Sequence, residues 1–150
     1  MTAMKKLFIP PVCVFTCFLL IVTFYFLLPG YNLIPFPLNL GGILIAFSGF
    51  AIMGKARDLF RKHQTTLAIE RSSFLITEGI FSKTRNPMYA GMFFLLLGLG
   101  ICFRNLFSIL MAIGFILIMQ FLFIPEEEKL MLESFGPEYL EYKKKVRRWI

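Results

Sequence analysis

Residues 85–91 read Arg-Asn-Pro-Met-Tyr-Ala-Gly, and residues 126–128 are three glutamates in succession. Arg85 offers a planar fork for a carboxylate. Asn86 offers a donor and an acceptor but no titratable proton near neutral pH. Tyr89 offers an aromatic face to a cation, and the glutamates suit an ammonium or hydroxyl groups. Together they can hold a zwitterion. The same residues also have a plainer reading. Arginine at a helix mouth reports membrane topology, a glutamate run is a solvated helix start, and Tyr89 is an interfacial aromatic.

Which reading holds depends on the elements that carry these residues. Of 150 residues, 57% are hydrophobic and 17% charged, with a mean hydropathy of +0.72. A chain this short has too little interior to hide that much apolar surface in water, so the fold class expected is an all-α integral membrane protein. By length it is a single domain, 1–150. Four apolar segments stand out, at about 7–28, 38–62, 88–103 and 106–124, each read as a transmembrane helix. Pro10 and Pro11 fit the first turn of the first helix. The second extends past its apolar run through Lys55 to Lys62, with the cations snorkelling. Only Arg104-Asn105 separates the last two, which requires an antiparallel hairpin. The run 7–28 is too long for a signal-peptide core and is read as a retained span.

Charge sets the orientation. Basic residues cluster at Lys5 and Lys6, in the stretch 55–87 (Lys55, Arg57, Arg61, Lys62, Arg71, Lys83, Arg85) and in the tail 125–150, whereas 29–39 carries no charge. The positive-inside rule then puts both termini and the central loop in the cytoplasm. The net charge of +7 belongs to this pattern, and no nucleic-acid partner is expected. Cys13, Cys17 and Cys102 lie in apolar runs and His63 is the only histidine, so no metal is expected.

Gly42, Ala46 and Gly49, and then Gly91 and Gly98, form small-residue stripes suited to close helix packing in lipid. The tail divides at Gly136-Pro137 into cytoplasmic or interfacial helices. In the second, from Glu138 to Ile150, Tyr139, Tyr142, Val146 and Trp149 share one face, with Trp149 in the interfacial zone. The hairpin makes the start of the third helix and the end of the fourth neighbours, which brings residues 85–91 to the glutamates on the cytoplasmic side.

With these residues in place, the sequence resembles the isoprenylcysteine carboxyl methyltransferase and phospholipid methyltransferase superfamily. That family carries Arg-His-Pro-x-Tyr-x-Gly, a hydrophobic hairpin, Glu-Glu-x-x-Leu, Phe-Gly and paired tyrosines. Here the run is Arg85-Asn86-Pro87-Met88-Tyr89-Ala90-Gly91, then Glu127-Glu128, Phe135-Gly136, Tyr139 and Tyr142, and Val146-Arg147-Arg148-Trp149. Thr77-Glu78-Gly79-Ile80-Phe81 is similar to the family's approach to the motif, and the likeness extends over about 66–149. Asn86 replaces the family's histidine and Met131 its leucine.

The resemblance implies S-adenosylmethionine as cofactor and a lipid or lipidated acceptor entering from the bilayer. It implies a small prokaryotic-type member in the cytoplasmic membrane. Arg85, Asn86, Glu127 and Arg147 are then the candidate catalytic residues. Arg85, Asn86, Pro87, Tyr89, Gly91, Glu127 and Glu128 are the candidate cofactor contacts, with Pro87 and Gly91 shaping the turn into the helix. Arg147 or Arg148 would reach an anionic acceptor. Two rival readings stand beside this one. An NADPH-dependent membrane reductase would need more clustered arginines than surround Arg85. A non-enzymatic scaffold with a decayed site draws on Asn86.

Overall fold

The computed structural model describes residues 3–64 and 74–149, with side chains of the first helix from Pro10 onward. The side chains of Lys5 and Lys6, together with Arg71, Ile150 and the start of the motif approach at Thr66, lie outside the described residues. The described chain is all α: α1 (Ala3–Leu27), α2 (Gly41–Lys62), α3 (Pro87–Cys102), α4 (Leu106–Ile118) and α5 (Ile124–Lys145), with short 3-10 turns between them. Three helices are long and apolar enough to cross a membrane, and α3 is a shorter apolar helix. At about 1.5 Å per residue α3 spans roughly 24 Å.

α1 begins at Ala3, so Pro10 and Pro11 lie inside it rather than in its opening turn. The apolar run marks where a helix can enter lipid, and helical hydrogen bonding continues beyond it into polar sequence. α2 runs through the charged stretch 55–62 as expected and ends with Arg61 and Lys62 in its last turn, where cations suit the negative helix end.

The small-residue stripes bring α2 and α3 into backbone contact. A Cβ on Gly49 would come within 2.5 Å of the Gly91 carbonyl oxygen and 2.7 Å of the Leu95 nitrogen. Gly98 meets the Ala46 backbone and the Gly42 carbonyl in the same manner. α1 lies on α4, with the Ser108 hydroxyl donating to the Ile21 carbonyl at 3.3 Å. A core of Ile21, Tyr89, Leu96, Ala112, Phe115, Met119 and Ile124 fills the space between α1, α3 and α4.

The hairpin turn is tied to the uncharged loop. Arg104 takes a positive φ of 64°, and the Asn105 side chain caps α4 by accepting from the Phe107 N–H at 2.9 Å. The same buried side chain donates to the Leu28 carbonyl at 2.8 Å, closing the end of α1. Arg104 Nε donates to the Ile34 carbonyl at 2.6 Å. One asparagine thus satisfies backbone groups at two helix ends, which lipid cannot do.

At the other end, α4 passes into a wide π-helical stretch, Met119–Phe123, and then into α5 without a break. The stretch falls just upstream of Pro125, whose missing N–H disturbs the regular ladder. The apolar part of this rod is 106–124; from Glu126 onward it is polar. Gly136 (φ 51°, ψ −126°) interrupts α5 where Gly136-Pro137 was expected to divide the tail. The expected helix to Ile150, however, stops at Lys145. Val146 is extended (φ −119°, ψ 133°), and the chain turns back across the start of α3. Trp149 therefore does not share the face of Tyr139 and Tyr142. Its indole N–H donates to Gln120 Oε1 at 2.7 Å. Hydrogen bonds from Thr84, Arg85 and Asn86 to carbonyls of the returning segment take the place of helix continuation.

Candidate active site at the mouth of the hairpin

Asn86 is the N-cap of α3 and Pro87 its first residue, where a missing N–H costs nothing. The Asn86 side chain makes no cap bond. Its Nδ2 instead donates to the Arg148 carbonyl at 3.3 Å. The Thr84 hydroxyl donates to the same carbonyl at 2.9 Å, and the Arg85 N–H donates to the Arg147 carbonyl at 3.0 Å. Residues 84–86 and 147–148 thereby lie side by side. Thr84 is fully buried, so its hydroxyl needs such a partner.

Two carboxylates from the start of α5 meet this edge. The Tyr89 hydroxyl, one turn into α3, donates to Glu127 Oε1 at 2.5 Å. Glu128 collects three cations. Arg148 binds it through two parallel hydrogen bonds of 3.0 Å each. Lys143 Nζ lies 2.9 Å from Oε2, and Arg85 Nη1 lies 3.2 Å from Oε1. The Arg85 and Glu128 side chains are only 9% and 10% exposed. Burial pushes the Glu128 carboxyl up, but the bonds from Arg148 and Lys143 and the charge of Arg85 outweigh it and hold it below its ordinary value. Arg85 Nη1 also lies 3.4 Å from the Tyr139 hydroxyl, while its buried Nε has no partner among the described residues.

Arg85, Asn86, Tyr89, Glu127 and Glu128 therefore meet at one mouth. Arg147 joins it through its carbonyl, with its side chain exposed. The side chain that reaches in from the tail belongs to Arg148. Gly91 sits deeper than the turn and faces α2, where a Cβ would strike Met53 Cγ at 2.5 Å. Pro87 does shape the entry to the helix.

The sequence assigned no role to Thr84, Gln120 or the Arg148–Glu128 pair, and it put Tyr139 in the paired-tyrosine motif on an interfacial face rather than beside Arg85. Gln120 had a readable signal, being a lone amide in an otherwise apolar run, and such residues in lipid normally have a partner. The carbonyls of Arg147 and Arg148 had none, because backbone acceptors are common to every residue.

A polar, charge-dense mouth on an all-α membrane bundle is the class that fold and site define. Residues 36–138 match the family model for phospholipid methyltransferase, and the chain belongs to that family. The matched range holds the 85–91 motif and the glutamates but not the returning tail. A protein-S-isoprenylcysteine O-methyltransferase of Saccharomyces cerevisiae is 35% identical over 80 residues, 51% of this chain and 32% of that protein. Its Xenopus laevis namesake is 38% identical over 78 residues, 50% of this chain and 26% of that protein. An uncharacterized protein of Haemophilus influenzae is 38% identical over 63 residues, 42% of this chain and 100% of that one. The chain thus spans about a third or less of the length of the two O-methyltransferases.

Proposed function

We propose that this chain is an S-adenosylmethionine-dependent methyltransferase. It acts at the cytoplasmic mouth of α3 and α5 on a lipid or lipid-modified acceptor of the isoprenylcysteine carboxylate or phospholipid amine kind. The observation that carries the reading is the convergence of Arg85, Asn86 and Tyr89 on Glu127 and Glu128, in a chain of the phospholipid methyltransferase family.

The residues suit the cofactor. Three cations share the carboxylate of Glu128, so the mouth holds surplus positive charge for the carboxylate of a methionine moiety. The Arg85 Nε, unpartnered among the described residues, is a donor for it. Glu127, placed by Tyr89, serves the ammonium or the ribose hydroxyls. Glu128 is the anchor that orients Arg85 and Arg148, while Pro87 and Gly91 set the start and seating of α3. The exposed Arg147 faces an anionic acceptor. When bound, the cofactor supplies an electrophilic methyl group on sulfur.

Displacement at such a methyl group is in-line, so the protein's main contribution is alignment of donor and acceptor. A carboxylate acceptor needs no deprotonation, whereas an amine must lose a proton first. Asn86 donates a hydrogen bond and accepts no proton, which favours acceptors already in their basic form.

Calorimetry on the detergent-purified protein tests the reading, with S-adenosylmethionine as titrant and NADPH alongside. Binding of S-adenosylmethionine alone, lost in Glu127→Gln, is the expected result. Binding of neither by folded protein sinks it and favours the scaffold; binding of NADPH alone favours the reductase.

A further inference from the structure

A groove of about 650 Å³ lies between α2 and the turn Gly79–Ser82. Lys55, Asp58, Leu59 and Lys62 line it from one face of α2, and Ile80 and Lys83 line it from the turn. These α2 positions are spaced three and four apart, as a single helix face requires. Gly79 permits the arrangement. It takes a positive φ of 60°, and a Cβ there would lie 2.9 Å from Leu59 Cδ1, so the turn closes directly on Leu59. The volume is in the range of small-molecule sites.

Charge and depth together indicate the occupant. Three lysines and one aspartate line the groove, Lys55, Asp58 and Lys62 from α2 and Lys83 from the opposite side. Lys62 is engaged at 2.7 Å by Glu78, which also meets His63. Lys55 and Lys83 are exposed and make no ion pair among the described residues. The negative end of the α2 dipole opposes an anion here, so attraction must come from the lysines. Lys55 is the first charged residue after the apolar run of α2, which ends at Gly54. It therefore sits at the level where a span leaves the hydrocarbon and lipid phosphates lie. Leu59 lies one turn beyond Lys55, away from the apolar run, and packs with Ile80 on the same small core.

We propose that this groove binds the phosphate of an anionic phospholipid, with Lys55 and Lys83 on the phosphate, the rest of the headgroup over Leu59 and Ile80, and the acyl chains running back along the apolar part of α2. The site shares no side chain with the mouth and stands whether or not the protein transfers methyl groups. It would brace the turn that leads into Thr84 and Arg85.

The test is calorimetry of the full chain in detergent, titrated with short-chain phosphatidylglycerol, short-chain phosphatidylcholine and inorganic phosphate in turn. Saturable binding of phosphatidylglycerol alone is expected. The double variant Lys55→Gln/Lys83→Gln should weaken it roughly tenfold or more, since each lysine near an anionic lipid contributes appreciably. Lys55→Arg/Lys83→Arg should retain binding, and so should Lys144→Gln/Lys145→Gln, which removes the same charge from the exposed tail. Equal binding of phosphatidylcholine, equal binding of inorganic phosphate, or equal losses in the groove and tail variants would each overturn the proposal. A groove variant that elutes folded and binds phosphatidylglycerol as tightly as wild type would do the same.

Discussion

The guanidinium of Arg148 and the carboxylate of Glu128, 20 residues apart, meet in two parallel hydrogen bonds of 3.0 Å each. This contact closes the tail over the start of α3. Arg85 shares one of the same carboxylate oxygens, so a single acidic side chain organises both arginines of the mouth.

Glu128→Gln should therefore destabilise the fold by roughly 2–3 kcal/mol, because two partly buried guanidinium groups lose their counter-charge. That figure is below the range for fully buried pairs, since Lys143 and Arg148 are 45% and 27% exposed and solvent screens them. A fall in Tm measured in detergent reads it, with the exposed Glu138→Gln as the control that should leave Tm in place.

The acid limb of stability follows from the same group. The Glu128 carboxyl is held below its ordinary value in the folded state. Its stabilisation is complete above the unfolded value, near 4.5, and is lost as pH falls through the lower folded value. Thermal stability of the wild type should decline below about pH 4.5, with a shallower decline in Glu128→Gln. Parallel declines in the two proteins would assign the acid sensitivity elsewhere.

Much of this arrangement is readable from the sequence. Apolar run lengths place the helices to within a few residues, and the two-residue gap at Arg104-Asn105 forces the hairpin that brings residues 85–91 to the glutamates. The glycine stripes mark the α2–α3 seam. The returning tail is not readable, because Val146-Arg147-Arg148-Trp149 continues a plausible helical face and its true partners are carbonyls and one buried carboxylate. The division of work between the glutamates is hidden for a similar reason. Glu127 and Glu128 are chemically identical neighbours, and only the approach of Tyr89 and of Arg148 distinguishes them.

Asn86→His and Asn86→Leu separate hydrogen bonding from proton transfer. Asn86 donates to the Arg148 carbonyl, a bond that a neutral imidazole N–H can also make. If the proposed methyl transfer holds, histidine should keep the rate within a few-fold, while leucine should lower it and loosen the tail. A large rate increase in Asn86→His, titrating near the ordinary histidine value of about 6.5, would instead make this position a base. Methyl transfer from labelled cofactor, followed from pH 5.5 to 8, reads the difference.

Trp149→Phe removes the indole donor to Gln120 and keeps most of the ring. A loss of about 1 kcal/mol is expected for a single neutral hydrogen bond. Gln120→Leu alone should cost more, because the indole N–H then lacks its acceptor, and adding Trp149→Phe to it should recover part of the loss. A double-mutant cycle on Tm reads the coupling, and strictly additive losses would mean the bond contributes nothing in solution.

Glycines divide sharply by what faces them, and this gives the most direct test of the helix packing. At Gly49 an added methyl would meet the backbone of Gly91 and Leu95, which cannot rotate away as a flexible side chain can. Gly49→Ala should force α2 from α3 and destabilise by roughly 1–3 kcal/mol. At Gly54, five residues along α2, nothing lies within 4 Å of the same methyl. Gly54→Ala should be neutral or stabilising by about 0.5–1 kcal/mol, since alanine loses less backbone entropy in a helix. The pair is informative because helix propensity predicts the same sign at both positions, whereas packing adds a penalty at Gly49 alone. Equal Tm shifts would mean that α2 and α3 do not meet through their glycines, and the seating of Arg85 and Tyr89 at the head of α3 would need another cause.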